Sequence, residues 1–368
     1  MNFSYWEKQF ISSSADLIII GSGITGLSAA YHAASKHPKW KIIVLDKFVY
    51  SNAASTRNAG FACFGSAGEL TADLRNGLSY KEVFSTLEKR LKGLTLLRDT
   101  LGDSALDYES CGGTEIFTSN QENEYHGILN QLDELNYQLN EFTNSADTFQ
   151  VSSPPSALVG FKYAIKNELE GKLNPGSLMK AWAKKCQDLG VEIYGGMSAQ
   201  LLEDYSGVSI KNHVIKSKQI AVCTNGLSES LRLDLKLSPA RNLVVLTEPI
   251  PKLELPSTYH HLQGYMYFRK IHDRLLLGGG RHEFLAEEET SKFEVNSDLR
   301  LRLERYLKEH FGILPEQIEM EWTGIMGVGN SKKPLVNRLN EHVVYGVKLG
   351  GMGVAIGSLV GKEVADLL

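Results

Sequence analysis

The residues best suited to chemistry stand near the start of the chain. Gly21-Ser22-Gly23-Ile24-Thr25-Gly26 sets three glycines at the spacing of a phosphate-binding turn, and Asp46 follows about twenty residues beyond Gly26. Each has its own physical task. Gly21 permits a tight turn, Gly23 lets backbone approach a pyrophosphate, and Gly26 lets a helix pack closely on a strand. A carboxylate at Asp46 accepts hydrogen bonds from ribose hydroxyls, so the set points to a dinucleotide. Spacing alone does not separate FAD from NAD.

Further candidates are more scattered. Ser51-Asn52-Ala53-Ala54-Ser55-Thr56-Arg57-Asn58-Ala59-Gly60-Phe61 is small and polar, the composition of a loop that meets a ligand. Tyr265 and Tyr267 fall on one face of an alternating strand, where they either wall a substrate pocket or pack on the sheet. Arg281, after Gly278-Gly279-Gly280, either anchors an anionic group or forms a salt bridge at the surface or between domains. His260-His261, His272 and His282 fit no zinc spacing and read as turn or surface histidines; no metal is expected. Cys63 reads as an inert thiol, and Lys332 and Lys333 as solvated.

These residues need elements to hold them. Asp16-Leu17-Ile18-Ile19-Ile20 reads as a buried parallel strand, residues 27–34 as a small-residue helix, and residues 41–46 as a second strand ending in the acid. Residues 80–100 suit an amphipathic helix through Leu91, Leu94 and Leu97, and Ile128, Leu132, Leu135 and Leu139 suit another. Ser152-Ser153-Pro154-Pro155 breaks the composition as a domain crossing would. Asn174-Pro175-Gly176-Ser177 starts a helix through Trp182 and Cys186, and strands follow at 190–194 and 220–226. Residues 241–281 alternate as an antiparallel sheet, with a hairpin turn at Ile271-His272-Asp273. Residues 343–347, Gly350-Gly351-Met352-Gly353 and 354–368 read as strand, turn and helix. The two ends of the chain thus share one sheet, with a second sheet inserted between.

Composition narrows the function classes. The 368 residues are 42% apolar and 22% charged, ordinary for a globular chain of about two domains. Thirty-nine basic against 43 acidic residues give a net charge of −4, with no electrostatic pull toward nucleic acid. Four separated cysteines suggest reduced thiols. The amino terminus lacks the pattern of a secretory signal, and runs such as residues 17–20 are too short to cross a bilayer, so a cytoplasmic protein with no transmembrane segment is expected.

Motifs in separate segments resemble the glycine oxidase, sarcosine oxidase and D-amino-acid oxidase superfamily of FAD-dependent oxidoreductases. They are Ser4-Tyr5-Trp6 with the glycine turn, Ala54-Ser55-Thr56-Arg57-Asn58-Ala59-Gly60, Thr247-Glu248-Pro249, Leu275-Leu276-Leu277-Gly278-Gly279-Gly280-Arg281, Trp322-Thr323-Gly324 and Gly351-Met352-Gly353-Val354-Ala355. Within it, the nearest resemblance is to the branch containing γ-glutamylputrescine oxidase. The resemblance implies FAD, and a mixed α/β fold with a Rossmann-like FAD-binding domain (residues 1–85, 155–232 and 322–368) interleaved with an antiparallel-sheet substrate domain (residues 86–154 and 233–321).

The same resemblance implies the site. Gly21, Gly23, Gly26 and Asp46 hold the ADP half of FAD, and Ile24, Thr25, Lys47 and Ala199 are further cofactor-binding positions. Ser55, Thr56, Arg57, Asn58, Gly60 and Phe61 line the isoalloxazine and its linker, Thr224, Asn225 and Gly226 lie near the pyrophosphate, and Gly324 is a further cofactor-binding position. Gly351, Met352, Gly353 and Val354 offer a helix amino terminus to the flavin pyrimidine, where reduced flavin carries negative charge. Arg57, Tyr265, Tyr267 and Arg281 are the candidate catalytic residues, with Arg57 polarising flavin or activating dioxygen. No cysteine falls between Trp322 and Asn330, where some relatives attach flavin, so non-covalent FAD is expected. Met326 and Gly351 stand where glycine oxidase-like relatives carry carboxylate-clamping arginines, which favours an amine-oxidising enzyme. The expected activity is oxidation of the C–N bond of a small amine or N-substituted amino acid, with dioxygen or another acceptor. The alternatives are an NAD-dependent dehydrogenase or a non-catalytic flavin-binding redox protein.

Overall fold

The computed structural model describes residues 3–49, 53–231 and 233–368; Ser51 and Asn52 of the polar loop lie outside the described residues. The first sheet is built around Ser14–Ile20, flanked in parallel by His213–Val222 and Ile42–Leu45. Val343–Val347 and Glu192–Tyr194 extend it in parallel on either side, and Leu335–Arg338 closes one edge antiparallel. The central strand is apolar on both faces because both faces are covered: Leu17 and Ile19 enter one core, Ile18 and Ile20 another.

Helices Ile24–Lys36, Tyr80–Leu101, Pro175–Asp188 and Gly353–Asp366 cover the first of those faces. Gly353, Gly357 and Gly361 recur every four residues, which strips one face of the last helix to backbone. A Cβ on Gly361 would lie 2.5 Å from the Thr25 carbonyl oxygen and 2.6 Å from Ser28 Cβ. Ser28 Oγ donates to the Ser358 carbonyl at 2.7 Å across the same contact. This close approach fixes the carboxyl-terminal helix against the helix that begins at the glycine turn.

The second sheet runs, edge to edge, Ile318–Val328, Ser238–Thr247, Arg274–Gly279, Met266–Ile271, Thr258–His261, Gly113–Thr118, Phe161–Asn167 and Phe149–Ser152. It is antiparallel as expected except where Thr258–His261 pairs in parallel with Gly113–Thr118. The helix Ser297–Phe311 packs Leu299, Leu303 and Leu307 on one face, beside Leu243, Phe268 and Leu277. The opposite face sets Val244, Leu276, Tyr267 and Trp322 against Ala59 and Phe61 of the polar loop.

Three expectations change. The pattern from Ile128 to Leu139 spans two helices, Glu122–Leu129 and Leu132–Thr143, and the second is tied to the sheet edge by Asn136. Its side chain donates to the Phe149 carbonyl at 2.9 Å and accepts the Phe149 N–H at 2.8 Å. The break at Ser152-Ser153-Pro154-Pro155 lies between two neighbouring strands of the second sheet rather than between domains. Residues 161–167 and 322–328, assigned from sequence to the FAD-binding domain, likewise hydrogen-bond into the second sheet.

Candidate active site

One cavity of about 600 Å³ opens where the two sheets meet. Its first wall is the glycine turn. Gly21 has φ +106, and a Cβ there would sit 2.6 Å from the Cys223 carbonyl oxygen, so only glycine lets the chain turn over the neighbouring strand. Gly23 is the N-cap of the Ile24–Lys36 helix, and a Cβ there would meet only the Ser55 side chain. The Ile24 N–H donates to Ser55 Oγ at 3.1 Å, marking the helix end as an acceptor-binding position.

Asp46 is buried at the end of its strand. Its Oδ2 accepts the Ser22 N–H and hydroxyl, both at 2.8 Å, and Oδ1 accepts the Phe48 N–H at 2.8 Å. A carboxylate offers about four lone-pair sites, so capacity is left for a ribose hydroxyl. Lys47 and Ala199 lie on the same stretch of wall.

The polar loop forms the next wall. Asn58 braces it, donating to the Ala54 and Ser55 carbonyls and accepting the Gly60 N–H at 2.8 Å. Arg57 Nη1 donates to the Thr323 carbonyl at 3.0 Å and the guanidinium lies over the Phe293 ring. Its cation is thus held against the second sheet.

The carboxyl-terminal turn supplies the third wall. Asn225, at φ +47, accepts the Lys348 and Leu349 N–H groups at 3.0 and 3.2 Å. That cap draws Gly350-Gly351-Met352-Gly353 to the end of the central sheet, with the amino terminus of the Gly353–Asp366 helix at the cavity. Met326 and Gly351 face each other there; a Cβ on Gly351 would stand 3.3 Å from Met326 Sδ.

The second sheet forms the lid. Tyr267 Oη accepts from Asn242 Nδ2 at 2.8 Å, its ring meets Phe61 edge-on, and burial pushes its phenol above the ordinary value. Tyr265 lines the cavity too, but from the turn before the strand, where it stacks on His282 and is 50% exposed. Arg281 begins a 3-10 turn, lines the cavity, and makes no ion pair among the described residues.

Of the sequence-predicted residues, Gly26, Thr56, Gly60 and Gly226 do not line the cavity. A Cβ on Gly26 would collide with the Gly21 carbonyl, one on Gly60 with that of Leu173, and one on Gly226 with that of Met326. The Thr56 hydroxyl turns to the Ala53 carbonyl. These four shape the wall from behind. Ile24, Thr25, Thr224, Gly324, Met352 and Val354 do reach the cavity with the other candidates named above.

Sequence reasoning missed the polar end of the cavity. His260 and His261 are strand residues, not turn or surface ones, because both faces of that strand are covered. His260 Nε2 lies 3.6 Å from Glu170 Oε2, and Phe61 meets its ring edge-on at 5.2 Å. Burial opposes charging His260, yet Glu170, then Glu115 and Glu69, raise its pKa above the ordinary value. Burial pushes Glu115 up to about 7, although the Gly68 N–H donates to its Oε2 at 2.7 Å. Lys332, expected to be solvated, bridges Glu69 and Asp73, both at 2.7 Å. Burial would raise Glu69, but Arg90 and Lys332 hold it at about 2. These acids are scattered through the sequence without a motif; only the alternation of 258–261 hinted that His260 is a sheet residue.

The chain belongs to the DAO family of FAD-dependent oxidoreductases, whose model matches residues 16–367. It is 22% identical over 379 residues to a probable oxidoreductase, OrdL, of Haemophilus influenzae, covering 96% of this chain and 83% of that protein. It is 20% identical over 400 residues to sarcosine oxidase subunit beta of Rhodobacter capsulatus, covering 99% and 90%. Among solved structures, glycine oxidase from Geobacillus kaustophilus matches with a TM-score of 0.76 at 16% identity, covering 97% of this chain and 95% of that one. The protein is therefore an FAD-dependent enzyme, which decides between the two dinucleotides that spacing left open.

The residues present fit that cofactor. Gly23, Gly350 and Gly353 leave a cradle without obstructing backbone, since a Cβ at Gly350 would meet nothing within 4 Å and one at Gly353 only the Leu349 side chain. Thr25 Oγ1, on the cavity wall, is buried without a hydrogen-bond partner.

Proposed function

We propose that the protein oxidises the C–N bond of a small amine or N-substituted amino acid. The observation that carries this is the single cavity shared by the Gly21–Gly23 turn, the Gly350–Gly353 turn, Phe61 of the polar loop and the face of the second sheet bearing Tyr267 and His260. Gly21, Gly23 and Asp46 hold the adenosine diphosphate half, and the Gly353–Asp366 helix end holds the isoalloxazine with the 53–61 loop. When bound, FAD supplies the acceptor for the substrate's hydride at N5, leaving an imine that water hydrolyses, and dioxygen or another acceptor restores it.

The chain's own residues position the substrate. Phe61 and Tyr267 wall an apolar slot, and the unpaired Arg281 takes a carboxylate or other anionic group at its far end. With methionine at 326 and glycine at 351, no arginine stands at the inner positions, so the anionic group binds away from the reacting carbon. Arg57, held by Thr323 and Phe293, contributes positive potential to the wall. The first sheet with its helices forms the FAD-binding unit, and the second sheet with residues 113–167 and 238–328 forms the substrate unit. Free thiols at Cys63, Cys111, Cys186 and Cys223 suit a reducing compartment such as the cytoplasm. Among the described residues no helix is long and apolar enough to cross a membrane.

The test is anaerobic. Purified protein should be yellow, release FAD on denaturation, and bleach with one or more of a panel of amines, N-methyl amino acids, D-amino acids and γ-glutamyl amines. Protein that takes up FAD but stays oxidised against the whole panel overturns the proposal and favours a non-catalytic flavoprotein.

A further inference from the structure

The polar end of the cavity holds a device that orientation alone does not require. His260 sits where three strands meet: Thr258–His261 pairs it in register with Glu115 on one side and with Tyr267 on the other. Glu170 approaches Nε2 from behind. Its Oε1 is pinned by the Phe64 and Gly65 N–H groups at 2.9 and 3.1 Å, which leaves Oε2 for the histidine. Glu170 is 2% exposed, so its charge acts on His260 from 3.6 Å with little screening by solvent. With Nε2 turned to Glu170, Nδ1 lies toward Gly264, a cavity-lining residue whose Cβ would stand 3.7 Å from it.

An amine is cationic at neutral pH, and a C–H beside an ammonium nitrogen cannot leave as hydride. The nitrogen lone pair must first be free to form the C=N bond. We infer that His260, oriented by Glu170, takes the proton from the cationic nitrogen of the substrate in this cavity. The inference rests on the amine-oxidising reading above and names the group that makes its substrate reactive. In the step, one N–H bond of the ammonium breaks and its electron pair stays on nitrogen. The proton goes to the Nδ1 lone pair, giving neutral amine and imidazolium with no change of oxidation state. His260 Nε2 has no hydrogen-bond partner among the described residues, and the charge of Glu170 Oε2 at 3.6 Å favours the tautomer with hydrogen on Nε2, so that Nδ1 is the acceptor. Glu170 is a positioning residue, while His260 touches the substrate.

Three carboxyls act on the imidazolium, and the Phe61 ring meets it edge-on. Glu170 and Glu115 flank it, Glu69 stands further off with Arg90 and Lys332, and the neighbouring Tyr267 phenol and Cys63 thiol stay neutral because burial pushes both above their ordinary values. The net field favours the proton on His260, so the basic form is lost at a pH above the ordinary histidine value of 6.5.

Two measurements on the holoenzyme test this. Side-chain nitrogen NMR titration of wild type, with His260→Gln to identify the missing signal, should show His260 titrating above pH 6.5 and falling at least half a unit in Glu170→Gln. In the anaerobic reaction, the panel compound that bleaches wild type fastest should do so about tenfold faster per pH unit below the midpoint, then level off. His260→Gln should lose that rise and slow by about 100-fold, and Glu170→Gln should move the midpoint down. A yellow His260→Gln protein with the wild-type pH profile overturns the inference and leaves the amine oxidase reading standing. If that variant does not fold, an unchanged midpoint in Glu170→Gln overturns it equally. A panel that never bleaches wild type overturns both.

Discussion

Glu69 and Glu115 are carboxyls pushed in opposite directions by their surroundings. Glu69, with Arg90 and Lys332 on it, titrates at about 2 against an ordinary 4.5. It therefore adds stability that is complete above pH 4.5 and lost as pH falls toward 2, on the order of a few kcal/mol. Lys332→Met should raise the Glu69 pKa and lower the urea midpoint at pH 4 to 7, with the difference shrinking as pH approaches 2. Glu115 is the reverse case: at about 7 folded, its ionised form is penalised by burial. Folding stability therefore rises as pH falls from 7 to 4.5, and the cost is present in full above 7. Glu115→Gln keeps an oxygen for the Gly68 N–H, so it should stabilise the protein at pH 8 by about 1 to 3 kcal/mol and have little effect at pH 4.5. A urea midpoint that drops at pH 8 would show that the ionised carboxylate is not a burden there. Neither behaviour was legible from the sequence, where both residues are ordinary acids without a motif.

At the scale of elements, the nucleotide-binding half could be read because its signals are local. A buried strand, a glycine turn and a helix follow one another within residues 14–36, and each is fixed by neighbours in the sequence. The hairpin through His272 was legible for the same reason; His272 takes the left-handed φ of +51 that the turn demands. Strands Gly113–Thr118 and Phe161–Asn167 were not read, since their pairing depends on residues far away in the chain. The helix Ser297–Phe311 was overlooked although Asn296 caps it by accepting the Asp298 N–H at 2.9 Å. The four-residue glycine spacing at 353, 357 and 361 also passed unread, yet it decides how the last helix docks. Gly361→Val should clash with the Thr25 carbonyl and Ser28 and cost about 1–3 kcal/mol or more. Lys362→Ala, one residue along, should stay within about 0.5 kcal/mol in the same urea titration.

For the whole molecule, the site exists only where distant parts of the chain meet. Gly21, Asp46, Ser55, Thr224, Val244, Tyr267 and Gly353, from seven separate segments, all reach one cavity. A ligand touching so many segments binds the folded form alone. FAD at 100 times its dissociation constant should stabilise the protein by about 2.7 kcal/mol, read as a thermal transition that climbs with FAD concentration. Asp46→Ala should weaken FAD binding by about 10- to 100-fold, since hydrogen bonds to a charged partner contribute about 1.5–3 kcal/mol, and the climb should begin at correspondingly higher FAD. A transition indifferent to FAD would show that the folded protein does not take up the dinucleotide.

The Asn225 cap has a consequence for biosynthesis. Its side chain must receive the Lys348 and Leu349 N–H groups before the last glycine turn can close over the nucleotide strand. A growing polypeptide can form the amino-terminal strand, turn and helix early, but it cannot retain a flavin until translation has passed the segment that docks on Asn225. Loading is thereby deferred until residues 348–353 have been made, and a product truncated upstream of Lys348 should emerge colourless.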